Sequence, residues 1–465
     1  MSFVNTKIME NKVHIHFLGA AGTVTGSKFL LETPELNILI DCGLFQGIKH
    51  LRELNWKDFP FDPKAIDVIL LTHGHLDHTG YLPRLVKQGY KNPIIGTPPT
   101  LGIADVILKD SAKIQEEDAE RANKEEYSKH EPALPLYSTK DAEKAIGLFQ
   151  SINLDEWYQI SENIKYRYQA NAHILGSAFI ELDIFNKRFV FSGDIGRKKD
   201  VLLESPKKPE KADYLFLEST YGDRLHPKDN SDEIFTEAIK NTVSNHGNLI
   251  IPSFAVERLQ GIMYKLYLLA KENKIPKIPI YIDSPMGNKV LGLFSGFSEW
   301  HKISADEFKK MLSYFNIITS YRDTWKTIDE NRTKVVIAGS GMVTGGRVLT
   351  YLRYLIDKPE TTILLAGYQA EGTRGRQLEN GASEVKIFGK YCPVKAKILK
   401  IESLSAHADQ EELLDWLSEI KNVPEKVFLI HGEATALDSL RVKIKDLYNS
   451  EVIIPELHEI TSLKL

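Results

Sequence analysis

Two cysteines, Cys42 and Cys392, are all that 465 residues contain, too few for a disulfide framework and suited to a reducing compartment. No apolar run approaches the roughly 18 to 20 residues that cross a bilayer, so no membrane role is expected. The opening segment, with Lys7, Glu10 and Lys12, lacks the apolar stretch and small-residue cleavage site of a signal peptide, which makes the cytoplasm the expected location. Biased tracts are also missing, and 42% hydrophobic with 26% charged residues excludes a disordered or fibrous chain. Strong positive charge is absent: the net charge is −4, which argues against gripping nucleic acid by charge alone. The balance is uneven, however. Residues 223–395 hold 24 Lys and Arg against 19 Asp and Glu, so a local basic groove is compatible with an acidic total.

At this length two domains, or one with a large insertion, are expected. Short runs rich in β-branched and aromatic residues, bounded by Gly, Pro, Asn or Asp, read as strands in the first part: "HIHFLGA", "KFLLET", "NILIDCG", "DVILLTH", "PIIGTPP", "AFIELDI", "RFVFSGD" and "YLFLEST". Residues 101–130 read as a helix. From about residue 223, helices alternate with the apolar runs "NLIIPSF", "IPIYIDS", "KVVIAGS" and "TILLAGY", which predicts a doubly wound parallel sheet with ligands at the carboxyl ends of its strands. The last 70 residues, with "KILKIESLSAHAD" and "KVFLIHGE", return to the first style. The expected division is therefore 1–222, an insertion at 223–395, and a return segment at 396–465.

Within "LLTHGHLDHTG" (70–80), His73, His75, Asp77 and His78 crowd the loop that leaves the strand Ile66–Leu71. Such a cluster is costly to bury unless something positive satisfies it, and a divalent cation does so. Imidazole and carboxylate donors without thiolate suit zinc at a catalytic site, and admit manganese or iron. A solvated histidine-rich loop is the bland alternative. Four donors cannot complete two coordination shells, and the strand-end residues His173 in "ANAHILGSAF", Asp194 after "RFVF" and His431 after "KVFLI" are the candidates for the rest. Each taken singly is as readily a core or turn residue.

Through "IDCG", "THGHLDHTG", "AHILGSA", "SGDIG", "LESTYG", "SAHAD" and "IHGE", nearly the whole chain resembles the metallo-β-lactamase-fold nucleases with a β-CASP insertion, which include RNase J and the cleavage and polyadenylation endonuclease. The resemblance implies an αββα sandwich carrying an inserted parallel-sheet α/β domain. It implies two divalent ions, zinc foremost: His73, His75, His173 and Asp194 would hold one, and Asp77, His78, Asp194 and His431 the other. Asp41 would orient a ligand histidine through its other ring nitrogen. His407 matches the family's proton donor to the leaving group, and Glu218 the carboxylate that orients it. The DNA-directed branch has valine where His431 stands, so RNA is the implied polymer.

The 237 residues separating Asp194 from His431 accommodate the insertion, and a cleft beside an inserted domain suits a polymer. Its loops "AGSGMVTGGR" and "GYQAEGTRGRQL" place backbone N–H groups beside arginines, which makes Ser340, Arg347, Arg374 and Arg376, with Arg258, candidate phosphate contacts. Near Arg258 the chain departs from the family, which has Gly where Glu257 stands and a small residue where Leu259 stands. The expectation is a ribonuclease that acts on single-stranded RNA and leaves 5′-phosphate and 3′-hydroxyl ends, an endonuclease before a 5′-exonuclease, with a homodimer an allowed assembly. A thioester or lactone hydrolase of the same fold is the alternative, since it needs the histidine cluster but not the basic insertion.

Overall fold

The structure, a computed structural model, describes residues 12–126 and 130–465. The opening segment read for a targeting signal lies outside these as far as residue 11. So does the part of the expected helix 101–130 at 127–129; the helix itself spans Pro98–Lys124.

Two compact units form. The first comprises the chain to Ile195, Pro206–Arg224 and His407–Leu465, and the second comprises Gly196–Ser205 and Leu225–Ala406. The second therefore takes in residues 396–406, which the sequence assigned to the return segment. The reason is backbone pairing: Lys397–Ile401 lies parallel to Thr362–Ala366 in the second unit's sheet, register Thr362 to Lys397.

Among the described residues the first unit holds two seven-stranded sheets. One runs Ile460–Lys464, Lys12–Phe17, Phe29–Glu32, Asn37–Ile40, Val68–Leu70, Ile94–Gly96, Phe149–Ser151; the other runs Glu451–Ile453, Lys426–Ile430, Tyr214–Glu218, Lys187–Phe191, Ala178–Ile184, Ile164–Ala170, Tyr158–Ser161. Alternation drives their packing. In "KVHIHF" Val13, Ile15 and Phe17 are fully buried while the residues between them are not, as a strand with period two requires. These side chains meet Ile164, Tyr168, Ile180, Phe191, Phe216 and Phe428 in one core between the sheets. Leu82, Leu101 and Leu108 cover the outer face of the first sheet, and Leu413, Trp416, Leu437 and Leu440 that of the second. The result is an αββα sandwich, the metallo-β-lactamase fold.

The second unit is built on a six-stranded parallel sheet in the order Asn316–Ile317, Ile280–Asp283, Lys334–Ala338, Asn248–Pro252, Thr362–Ala366, Lys397–Ile401. Its interior runs "KVVIA" and "TILLA" are buried without exception, as befits strands covered on both faces. Among the described residues no helix is long and apolar enough to cross a membrane.

Candidate metal centre

Three neighbouring parallel strands of the first unit set the position of half the site. Phe191, Phe216 and Phe428 stack across them, with centroids 4.1 and 4.9 Å apart and planes within 7° and 11°. Phe191 and Phe428 are both register partners of Phe216, so the stack pins the strands where the pattern of side chains already places them. The three strand ends then deliver Asp194, Glu218 and His431 to one edge.

The facing sheet supplies the other half. His73 and His75 leave the strand Val68–Leu70 on a loop, as expected, but Asp77 and His78 do not: they lie in a one-turn helix, Leu76–Thr79. The His75 carbonyl accepts from His78 and Thr79 N–H groups at 3.0 and 2.9 Å, which closes the turn. The segment Asp41–Leu44 then clamps it, Cys42 N–H donating to His78 O at 2.8 Å and Leu44 N–H to Leu76 O at 3.1 Å. Gly43 packs so closely there that a Cβ would lie 1.6 Å from Asp77 O. His173, on the connection between Ile164–Ala170 and Ala178–Ile184, donates its N–H to Ser177 Oγ at 2.9 Å.

Seven side chains converge. His75 Nδ1 stands 3.1 Å from His73 Nε2 and 3.2 Å from His173 Nε2. Asp194 Oδ2 lies 3.5 and 3.6 Å from those same Nε2 atoms. The other oxygen, Asp194 Oδ1, lies 3.4 Å from both His78 Nε2 and His431 Nδ1, and Asp77 Oδ2 is 3.5 Å from His431 Nε2. Asp41 holds His78 from behind, accepting from its Nδ1 at 2.7 Å and from Thr72 N–H and Oγ1 at 2.8 Å each.

Donors about 2 Å from a tetrahedral zinc stand about 3.3 Å from one another, and the spacings found here bracket that value. Asp194 Oδ1 and His431 Nε2 are buried without a well-formed hydrogen bond, a state that burial penalises unless a cation completes it. The electrostatics agree. Burial, reinforced by His78, holds His73 well below the usual imidazole range, and burial takes His75 down to about 4. Both are then neutral, the form that ligates metal. Burial opposes a charge on Asp194 too, yet His431, His78 and His73 prevail and hold its carboxyl well below the usual range. At His78, burial is outweighed by Asp194 and Asp41, which raise its affinity for a proton well above the ordinary range, so a cation bound there would have to displace that proton. The donor set fits divalent cations.

At the edge of this cluster His407 Nδ1 lies 3.3 Å from Glu218 Oε1. Glu218 is fully buried, and its carboxylate accepts from Ile195 N–H at 2.8 Å and Thr220 N–H at 3.1 Å. Burial pulls the His407 imidazole down, but Glu218, with Asp194 and Asp77 beyond it, more than reverses this and the net shift is upward.

Comparison with known proteins places this geometry. The metallo-beta-lactamase superfamily matches residues 21–241, the Beta-Casp domain residues 259–378, and the Zn-dependent metallo-hydrolase RNA specificity domain residues 391–455. A ribonuclease of Thermus thermophilus is 35% identical over 450 residues, covering 95% of this chain and 98% of that one. The chain belongs to the β-CASP family of metallo-β-lactamase-fold proteins. Other relatives include an RNase J-like protein of Methanocaldococcus jannaschii, 32% identical over 90% of this chain and 93% of its own length. A transcription termination factor from the same organism is 29% identical over 95% and 70%. A solved structure from Enterococcus faecalis V583, a protein of unknown function, shares the fold at a TM-score of 0.55 and 13% identity over 97% of this chain and all of its own.

In the β-CASP insertion the structure shows what each residue singled out for phosphate touches. Arg258 donates to Ala366 O. Arg374 donates to Lys386 O at 2.5 Å and to Val343 and Thr344 carbonyls at 3.3 and 3.2 Å. Arg347 donates to Thr324 Oγ1 at 2.9 Å, and Arg376 pairs with Glu379 at 3.0 Å. Ser340 Oγ pairs with Thr344 Oγ1 at 3.0 Å. Arg374 thus braces the glycine-rich turn at Val343 and Thr344, and Arg258 the start of the other at Ala366. Sequence reasoning missed Lys28, whose buried ammonium donates to Gly43 O at 2.6 Å behind the ligand turn; its only signal is a lysine opening the apolar run "KFLLE".

Proposed function

We propose that this β-CASP protein is a zinc-dependent ribonuclease that hydrolyses phosphodiester bonds within single-stranded RNA and leaves 5′-phosphate and 3′-hydroxyl ends. The observation that carries the reading is Asp194, one oxygen facing His73 and His173 and the other facing His78 and His431. A carboxylate so placed suits two cations at once. His73, His75 and His173 would hold one with Asp194, and Asp77, His78 and His431 the other, again with Asp194. When bound, such a pair supplies Lewis acidity, ionising water near neutral pH and neutralising charge on the phosphoryl oxygens.

The chain's own residues do the rest. Asp41 fixes the His78 ring so that Nε2 faces the centre. His407 carries the proton that the departing 3′-oxygen needs, on the ring nitrogen opposite the one facing Glu218. Glu218 orients that ring and favours its charged form. In the insertion, Ser340 with Arg258, Arg347, Arg374 and Arg376 are the phosphate contacts of this reading.

Incubation of the protein with 5′-labelled single-stranded RNA, with and without chelator, is the test. Chelator-sensitive labelled fragments of many lengths are expected; a labelled mononucleotide would mean trimming from the 5′ end. RNA left intact while a thioester or lactone is hydrolysed would replace the reading with a small-molecule hydrolase.

A further inference from the structure

The second unit carries a row of exposed aromatic side chains that the chemistry above does not use. Tyr321 and Trp325 stand one turn apart on the helix Tyr321–Asp329, and Tyr354 projects from the helix Gly346–Leu355 beside it. They are 49%, 38% and 48% exposed, where large rings are ordinarily covered. The rings touch in sequence, Tyr321 to Trp325 with centroids 6.5 Å apart and Trp325 to Tyr354 at 5.2 Å.

The row is a built feature. Arg347 lies over the Tyr321 ring, its Cζ 3.9 Å from the centroid. That guanidinium is fixed through Thr324, whose hydroxyl donates to the buried Asp283 carboxylate at 2.6 Å; Tyr351 OH donates to the same oxygen at 2.9 Å. Tyr321 OH pairs with Thr350 Oγ1 at 2.8 Å. Asp283 ends a parallel strand and Arg347 follows the turn headed by Ser340, so the row begins at the carboxyl ends of the strands, where such sheets bind ligands. Each ring has a basic residue next to it in the chain, Tyr321 with Arg322, Trp325 with Lys326 and Tyr354 with Arg353; Lys326 pairs with Asp323 at 2.9 Å and Arg353 donates to Cys392 Sγ at 3.3 Å. Of the three rings, Tyr321 carries a cation directly on its face.

Flat rings in series with a guanidinium over the first match the chemistry of a single-stranded nucleic acid, whose bases stack while its phosphates seek positive charge. We propose that Tyr321, Trp325 and Tyr354 form a stacking platform for bases of the RNA strand, outside the centre where the bond is cut. The inference names a binding surface for the substrate of the proposed function and rests on that reading for the polymer's identity.

The test is a fluorescence-anisotropy titration of the full chain with a labelled 20-nucleotide oligouridylate in excess chelator, so that nothing is cut. The double substitution Trp325→Ala, Tyr354→Ala raises Kd about tenfold or more, given typical base-stacking strengths. Trp325→Phe, which keeps a ring, stays close to the wild type and shows that the loss is one of stacking. An oligomer whose bases are removed binds wild type and double variant alike. Equal affinity of the double variant and the wild type for the uridylate overturns the platform. So does a double variant that binds RNA normally but sediments at a different mass, which would assign the face to a second copy of this chain. RNA binding through the row by a protein that cuts no RNA with any metal leaves the platform standing and removes the nuclease reading.

Discussion

His407 and Asp77 lie within one cluster but have different roles in the proposed function, and substitution separates them. His407→Ala retains bound metal while turnover falls by about 10²- to 10⁴-fold, the usual worth of a positioned acid. Asp77→Ala and His78→Ala lose metal as well; elemental analysis beside an RNA-cleavage rate reads both. Lys28 gives a pH signature of its own. Burial, opposed in part by Cys42, brings its ammonium from 10.5 down to about 8. The unfolded chain therefore holds a proton above about pH 8 that the folded one has released, and stability rises with pH from there. From pH 9 upward Cys42, which burial pushes up to about 12, gives the opposite slope, because the folded chain keeps a thiol proton that the unfolded one has lost, so the rise is read between pH 8 and 9. Denaturant unfolding across this range should show the slope, and Lys28→Met should abolish it. The histidine–aspartate cluster was legible because HxHxDH after a strand is a dense pattern, four donors within six residues. Lys28 was not, because what makes it unusual is burial, which a single lysine does not announce.

Elements explain why the ligand turn holds its shape. Gly43 runs against Asp77 with no room for a side chain, so Gly43→Ala must displace the turn Leu76–Thr79 or its own segment. Far-UV circular dichroism is expected to stay native while zinc affinity drops at least tenfold, the effect of moving ligands relative to one another. Most strands were readable from apolar runs. The strands Phe149–Ser151, Tyr158–Ser161 and Ile164–Ala170 were not foreseen, though "IKYRYQA" alternates buried and part-exposed residues along its length. Its polar members Lys165, Arg167 and Gln169 mask the apolar signal, and Arg167 is held by buried Glu181. Asp77 and His78 were assigned to a loop because four helical residues leave no periodicity to see.

For the whole molecule, the inserted parallel sheet followed from the order of apolar runs, and the αββα sandwich from the family resemblance. Where the chain passes from one unit to the other did not, since Lys397–Ile401 reads like a strand of either sheet and only its pairing decides. Metal and stability are linked at this scale. A ligand that binds only the folded state stabilises it by about 2.7 kcal/mol at a hundredfold excess over Kd. Chelator should therefore lower the midpoint of thermal unfolding by several degrees and added zinc should restore it, as calorimetry would record. The pairing of Lys12–Phe17 with Ile460–Lys464 has a further consequence. The first sheet is finished only by its last strand, and His431 arrives after every other histidine of the centre. A chain still being synthesised therefore lacks one donor of the cluster until His431 has emerged, 237 residues after Asp194.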